Sequence, residues 1–270
     1  MLGLGRIQNG ARRWIGKHRQ SGLVTTVHRL AKFFDSAYEN EGSSFEHNGE
    51  RAMLKRLRAA NFQIAMDVGA NFGDWSLSCM ELWPRVQVHA FEVAPVTFET
   101  LKGQTQNFGA DRLILNCAGL GEQDGTLPMY YYPNHPELTC ESPRHSAAQE
   151  IFDASIITGN RYAAERGIRE IDFLKIDVEG SEYRVLRGFS ELLANQKIHC
   201  IQFEYGAFSI QTRFMLSDYY SMLGEHYWIG KIYPTYVGFA DYDWLREDFK
   251  FANFCCVSRQ RRDLRDLLGG

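Results

Sequence analysis

The stretch Ile64-Ala-Met-Asp-Val-Gly-Ala-Asn-Phe-Gly-Asp74 decides the fold of this chain. A short apolar run ends in an acid and a glycine turn, and apolar residues at helical spacing follow from Asp74 to Leu82. That is a strand, a tight turn and a helix, the opening unit of a doubly wound α/β sheet. The pattern repeats outward from it. Val86–Phe91, Leu113–Ala118, Ile171–Ile176 and Ile198–Phe203 read as strands. Pro95 opens a helix, because proline suits the first helical turn, and Ser181–Asn195 reads as another. Thr126–Tyr132 alternates like an extra strand, 133–149 reads as a long loop, and Ala147–Arg166 as mostly helical with a break. Helical spacing returns at Phe214–Leu223, with aromatic-rich strands near 227–239 and 252–258. Ligands of such sheets bind beyond the carboxyl ends of the strands.

The polar residues at those ends are therefore the chemical candidates. Gly69 permits a tight turn, and Gly73 lets the helix approach strand and ligand. Asn71 stands where a dinucleotide-binding turn has its middle glycine, so close approach of a pyrophosphate is disfavoured. Asp67 ahead of the turn would repel a pyrophosphate and suit a cationic ammonium group. Glu92 ends the next strand, where a carboxylate accepts from both hydroxyls of a ribose. An adenosine carrying an amino acid and a positive sulfur satisfies all three features, which identifies S-adenosylmethionine as the expected cofactor. The bland alternative is a strand–turn–helix with ordinary capping.

Three motifs, Asp67-Val-Gly-Ala-Asn-Phe-Gly-Asp74, Phe91-Glu92-x-x-Pro95 and Leu174-Lys-Ile-Asp-Val-Glu-Gly-Ser-Glu182, resemble the FkbM family of methyltransferases over roughly residues 50–205. The resemblance implies a Rossmann-like, seven-stranded methyltransferase sheet whose last strand runs antiparallel. It also implies O-methylation of a hydroxyl on a sugar, a glycan, a glycolipid or a secondary metabolite. Val93 and Ala94 separate Phe-Glu from its proline, a departure from the family pattern. Carried onto this chain, the cofactor contacts are Asp67, Gly69, Ala70, Asn71, Gly73 and Glu92, with Ala118 and Gly119 approaching the adenine.

Methyl transfer from a sulfonium needs alignment of the reactants and removal of a proton. Asp177 and Glu179 flank Val178 and point to one side of an extended stretch. Glu204 ends the adjacent strand. Glu179 is the expected base, with Asp177 and Glu204 positioning the acceptor. Asp177 and Glu204 are also the candidate ligands of a Mg²⁺ ion. Tyr205 follows Glu204 and is a poor Mg²⁺ ligand. His145, Tyr205 and Arg213 are the candidate acceptor-binding residues, and the 133–149 loop is long enough to cover a bound acceptor.

Length and charge bound the rest. The chain has 270 residues, 44% hydrophobic and 23% charged, and no apolar run long enough for a transmembrane helix. Its net charge of −3 is unevenly spread. Residues 1–34 carry seven Lys/Arg and no acid, which leaves the remainder at −10. An acidic body argues against nucleic-acid partners. Within the basic leader, Leu23, Val27, Leu30 and Phe34 recur at helical spacing. The stripe either packs on the body or rests on an anionic membrane surface. The expected organisation is a basic amphipathic helical extension with linker at 1–50, the methyltransferase domain at 51–260 and a charged tail at 261–270. Six cysteines without metal-ligand spacing point to a reducing compartment, so a cytoplasmic enzyme is expected, peripheral to the inner membrane face if the leader binds lipid. Competing function classes are a non-catalytic, membrane-associated binding protein on the same fold, a protein or nucleic-acid methyltransferase, and an NAD-dependent oxidoreductase, against which Asn71 and Asp67 argue.

Overall fold

The computed structural model describes residues 2–109, 111–143 and 150–269. It divides into two units, Met1–Glu41 and Gly42–Gly270. The first unit holds helices α1 (Leu2–Lys17) and α2 (Gly22–Tyr38). Ser21 caps α2, its hydroxyl oxygen accepting the Val24 N–H. The expected stripe lies along α2, which buries none of its residues.

The second unit runs through α3 (Glu50–Arg56), β1 (Ile64–Val68), α4 (Asp74–Leu82), β2 (Gln87–Phe91), α5 (Pro95–Thr105), β3 (Leu113–Asn116), β4 (Gly119–Gly121) and β5 (Gly125–Tyr131). It continues with β6 (Glu150–Thr158), α6 (Gly159–Arg166), β7 (Ile171–Ile176), α7 (Glu182–Gly188), α8 (Ser190–Ala194), β8 (Ile198–Tyr205) and α9 (Ser209–Thr212). Then come α10 (Leu216–Leu223), β9 (Tyr227–Ile232), β10 (Val237–Phe239), β11 (Ala252–Ser258) and α11 (Arg262–Leu268).

The main sheet has the order β3-β2-β1-β7-β8-β11-β9-β10. Strands β3, β2, β1, β7 and β8 are parallel, and β11 runs antiparallel to both β8 and β9. This is the expected Rossmann-like, doubly wound sheet with its last strand reversed. An eighth strand, β10, is added at the edge by a hairpin whose turn closes with Tyr233 N–H donating to Tyr236 O at 2.9 Å. Strand residues alternate between two cores. Ala65, Phe173, Cys200 and Cys255 pack with Leu54 of α3, Cys79 of α4 and Leu264 of α11. Met66, Leu174 and Ile201 pack with Leu186 of α7 and Tyr219 of α10 on the other face. Burial on both faces explains why these strands read as continuous apolar runs.

Three segments differ from the sequence expectation. Residues 150–158, read as helical, form β6, which pairs antiparallel with β5 and parallel with β4 in a second, three-stranded sheet. Ala154 and Ile156 are buried at period two, and that inward row needs a sheet partner distant in sequence. The Ser181–Asn195 helix is broken into α7 and α8 at Gly188, where any Cβ would stand 2.1 Å from the Gly121 carbonyl oxygen of β4. Residues 262–268, expected as a charged tail, are helical, with Leu264 and Leu268 buried in the core.

The chain leaves β1 toward β2 on one side of the sheet, while β7 lies on the other. The β1/β7 boundary is thus a topological switch point, where a crevice opens at the carboxyl ends of the strands.

Candidate active site

The turn after β1 is shaped by contact with β7. Gly69 has φ +82°, and a Cβ there would lie 1.8 Å from the Asp177 carbonyl oxygen. Only glycine lets the turn press on the end of β7. The Gly69 and Ala70 N–H groups donate to Phe91 O at 3.0 and 2.9 Å, tying the turn to β2. Asn71, at φ +47°, donates its N–H to Glu92 Oε2, and Ala94 N–H donates to Glu92 Oε1, both at 2.9 Å. Glu92 is therefore held in one orientation, and each oxygen keeps acceptor capacity. Its burial pushes the carboxyl upward in pKa, and the two backbone bonds oppose that. The buried Oδ1 of Asn71 has no hydrogen-bond partner among the described residues.

A cleft of about 760 Å³, open mouth included, lies over this turn. Gly69, Asn71 and Glu92 line one side, with Ala118 and Gly119 after β3 beside them. Asp177, Glu179 and Ser181 line the other. Met129 and Ile156 of the second sheet and Pro136, Glu137, Thr139 and Glu141 of the following loop complete the wall. Glu141 fastens that loop to the start of α7, accepting from Ser181 Oγ at 2.7 Å and from Arg184.

The acids at the ends of β7 and β8 converge. One carboxylate oxygen each from Asp177, Glu179 and Glu204 lies within 4.8 Å of the others. Asp177 is 39% exposed at its side chain, whereas Glu204 is buried. Burial first, and then the charges of Asp177, Glu179, Glu182 and Glu50, raise the Glu204 carboxyl well above the usual range. Glu179 adopts φ +59°, a left-handed conformation costing a non-glycine residue about 1–3 kcal/mol. The turn holding it is latched by Glu182, whose Oε1 accepts the Val178 and Gly180 N–H groups at 3.1 and 3.0 Å. Burial pushes Glu182 up to about 8 against those bonds.

Several expected site residues are placed elsewhere. Asp67 lies beneath the turn, fully buried and away from the cleft. Its Oδ2 accepts from Ser76 Oγ at 2.7 Å and its Oδ1 from Lys175 Nζ at 3.2 Å. Ala70 packs in the core on the α4 side, and Gly73 begins α4 against Leu101. Tyr205 is buried, and its hydroxyl donates to Glu247 Oε2 at 2.8 Å. Glu247 also accepts the Leu216 and Ser217 N–H groups at 3.0 and 2.7 Å, so Tyr205 braces the start of α10. Arg213 is exposed on the turn after α9, outside the cleft lining. His145 lies outside the described residues.

Two buried groups escaped the sequence reading. Lys175 Nζ stands 3.2 Å from Asp67 Oδ1, from Gly69 O and from Asp177 Oδ2, which matches the three donors of an ammonium. Burial alone would lower its pKa, but Asp67, Asp177 and Glu50 hold it above the ordinary lysine value. A lone lysine inside an apolar strand, two residues before Asp177, was the available signal. Glu50 of α3 accepts from Asn48 Nδ2 at 2.6 Å and from Gln202 Nε2. Nothing in its local sequence marks it.

A model of the methyltransferase FkbM domain matches residues 67–226. The chain belongs to the FkbM methyltransferase family. The FkbM-family match contains every cleft-lining residue named above. Among curated relatives, the 31-O-demethyl-FK506 methyltransferase FkbM of Streptomyces tacrolimicus is 33% identical over 156 residues, covering 47% of this chain and 60% of that protein. The chain spans only 58–60% of this relative and of two others. The 2-O-methyltransferase NoeI of Sinorhizobium fredii is 21% identical over 200 residues, covering 68% of this chain and 79% of NoeI. The crystal structure of an FkbM methyltransferase from Methylobacillus flagellatus superposes with TM-score 0.45 at 15% identity, over 73% of this chain and 44% of that one.

Proposed function

We propose that the chain is an S-adenosylmethionine-dependent O-methyltransferase acting on a hydroxyl of a sugar, a glycan or glycolipid, or a secondary metabolite. The observation that carries this is the pairing of two walls in one cleft at the switch point. One has Glu92 fixed by Asn71 and Ala94, and the other has Asp177 and Glu179 facing it with Glu204 behind.

The residues fit the cofactor. Glu92 retains lone pairs for both ribose hydroxyls, and the partnerless Asn71 Oδ1 offers a further acceptor at the same wall. Ala118 and Gly119 leave room for a flat adenine. Asp177, beside Gly69, replaces Asp67 as the carboxylate within reach of an ammonium group, because Asp67 is occupied under the turn. When bound, S-adenosylmethionine supplies an electrophilic sulfonium methyl for in-line displacement. Glu179 takes the acceptor hydroxyl proton as that bond forms, since an alcohol is too weakly acidic to ionise beforehand. Glu204, buried behind the cleft lining, backs Asp177 and Glu179 and does not itself face the acceptor.

Mg²⁺ fits these residues in donor type only. Three carboxylates are suitable hard ligands. However, the Lys175 ammonium already compensates Asp177 at 3.2 Å, and no step is routed through a metal. The dense acidic wall favours neutral polyhydroxyl acceptors over anionic ones. The acceptor class in this reading takes support from the relatives named for a 31-O position and a 2-O position. The test is transfer of a labelled methyl group to a panel of neutral and anionic glycosides, with added Mg²⁺ and with EDTA. Product in both conditions that Glu179→Ala abolishes is the expected result. Transfer that survives Glu179→Ala removes the base assignment.

A further inference from the structure

The helices of the first unit carry a surface that methyl transfer does not use. Along α2, Leu23, Val27, Leu30, Phe34 and Tyr38 fall on one stripe at spacings of three and four residues, and each is more than half exposed. Arg29 and Lys32 lie on the opposite side of the helix. Trp14 and Ile15 of α1 are each 50% exposed; helical spacing puts Arg13 on the far side and sets Arg12 and Lys17 at the flanks, three residues from Ile15 and Trp14. Positions 8–38 hold six Lys/Arg and one acid, Asp35, in a chain whose remainder is acidic.

We propose that α1 and α2 form an in-plane anchor for bilayers rich in anionic lipid, the apolar stripe seated among the acyl chains and the cations among the headgroups. Charge complementarity selects this occupant. Six cations against a single acid, Asp35, match a continuous anionic surface, and aromatic residues such as Trp14 and Tyr38 favour the headgroup level. A nucleic acid would satisfy the cations and leave the stripe in water. No helix of the described residues is long and apolar enough to cross a membrane, so the anchor lies along the surface. This inference does not depend on the proposed activity.

The test is cosedimentation of the full chain with large unilamellar vesicles. One set is phosphatidylcholine alone, and the other contains about one-third phosphatidylglycerol, each at low and high NaCl. The expected result is binding about tenfold or more stronger to the anionic vesicles, weakened by salt. Val27→Asp/Phe34→Asp reduces it to the level of neutral vesicles, while the melting temperature and S-adenosylhomocysteine affinity of that variant stay at wild-type values. Three results would overturn the proposal. These are no preference for anionic vesicles, unchanged binding by the double variant, or loss of melting temperature in that variant, which places the stripe inside the fold. A failed anchor with intact S-adenosylhomocysteine binding leaves the methyltransferase reading standing.

Discussion

Replacing Lys175 by methionine tests how the turn and the acid cluster are held together. The ammonium serves three oxygens at 3.2 Å, on Asp67, Gly69 and Asp177. Methionine fills similar volume but supplies no donor and no charge. Asp67, fully buried, then keeps only the Ser76 hydroxyl bond as compensation. Stranding one member of a buried ion pair costs about 3–5 kcal/mol. At about 2–4 °C per kcal/mol for a unit of this size, the melting temperature falls by about 6–20 °C. The double variant Asp67→Asn/Lys175→Met removes the stranded charge and recovers most of that loss, because a neutral pair needs no counter-ion. Urea unfolding at neutral pH, followed by tryptophan fluorescence and circular dichroism, measures both. A single variant within about 1 kcal/mol of wild type, or a double variant no more stable than the single one, refutes the reasoning.

Other perturbations probe neighbouring parts. Glu182 titrates at about 8 in the folded chain and near 4.5 unfolded, so the folded state holds a proton that the unfolded state has lost between those values. The corresponding stability is complete below about pH 4 and disappears as pH rises through 8, a span of about 5 kcal/mol. Glu182→Gln keeps an oxygen for the Val178 and Gly180 N–H groups and flattens this slope; urea midpoints that fall in parallel for both proteins from pH 5 to 8 would disprove it. Gly69→Ala forces a Cβ to 1.8 Å from Asp177 O at φ +82°, so S-adenosylhomocysteine affinity and melting temperature both drop. An alanine variant calorimetrically identical to wild type contradicts that contact. Glu179→Ala lowers kcat by about 10²–10⁴ with S-adenosylhomocysteine affinity intact, and a change confined to KM counts against a base.

Much of the parallel sheet was legible because its elements declare themselves locally. Strands buried on both faces read as apolar runs, and Gly69 and Pro95 punctuate them. The cleft wall of Gly69, Asn71, Glu92, Ala118 and Gly119 was readable for the same reason, since position at a strand end determines it. Direction was less accessible. Asp67 stands one residue before the end of β1 and Glu92 one residue past the end of β2, and the Asp67 side chain points under the turn, toward a lysine 108 residues later in the chain. Tyr205 follows Glu204, and alternation turns it away from the acids toward Glu247. β6 was missed although Ile151, Phe152, Ile156, Ile157 and Thr158 favour a strand, because it runs directly into the α6 helix and its partner β5 lies across the intervening loop. Glu50 belongs to a network assembled from α3, β8 and β11, which no single stretch of sequence contains.

The central claim is that Glu92 and the glycine turn form a cofactor wall. It is tested most directly by calorimetric titration of the folded chain with S-adenosylhomocysteine, wild type beside Glu92→Ala and Glu92→Gln. The account predicts saturable single-site binding by wild type, weakened at least about tenfold by Glu92→Ala as two charge-assisted hydrogen bonds are lost, and less by Glu92→Gln. Absence of heat from folded wild type, or equal affinity in all three proteins, would contradict it.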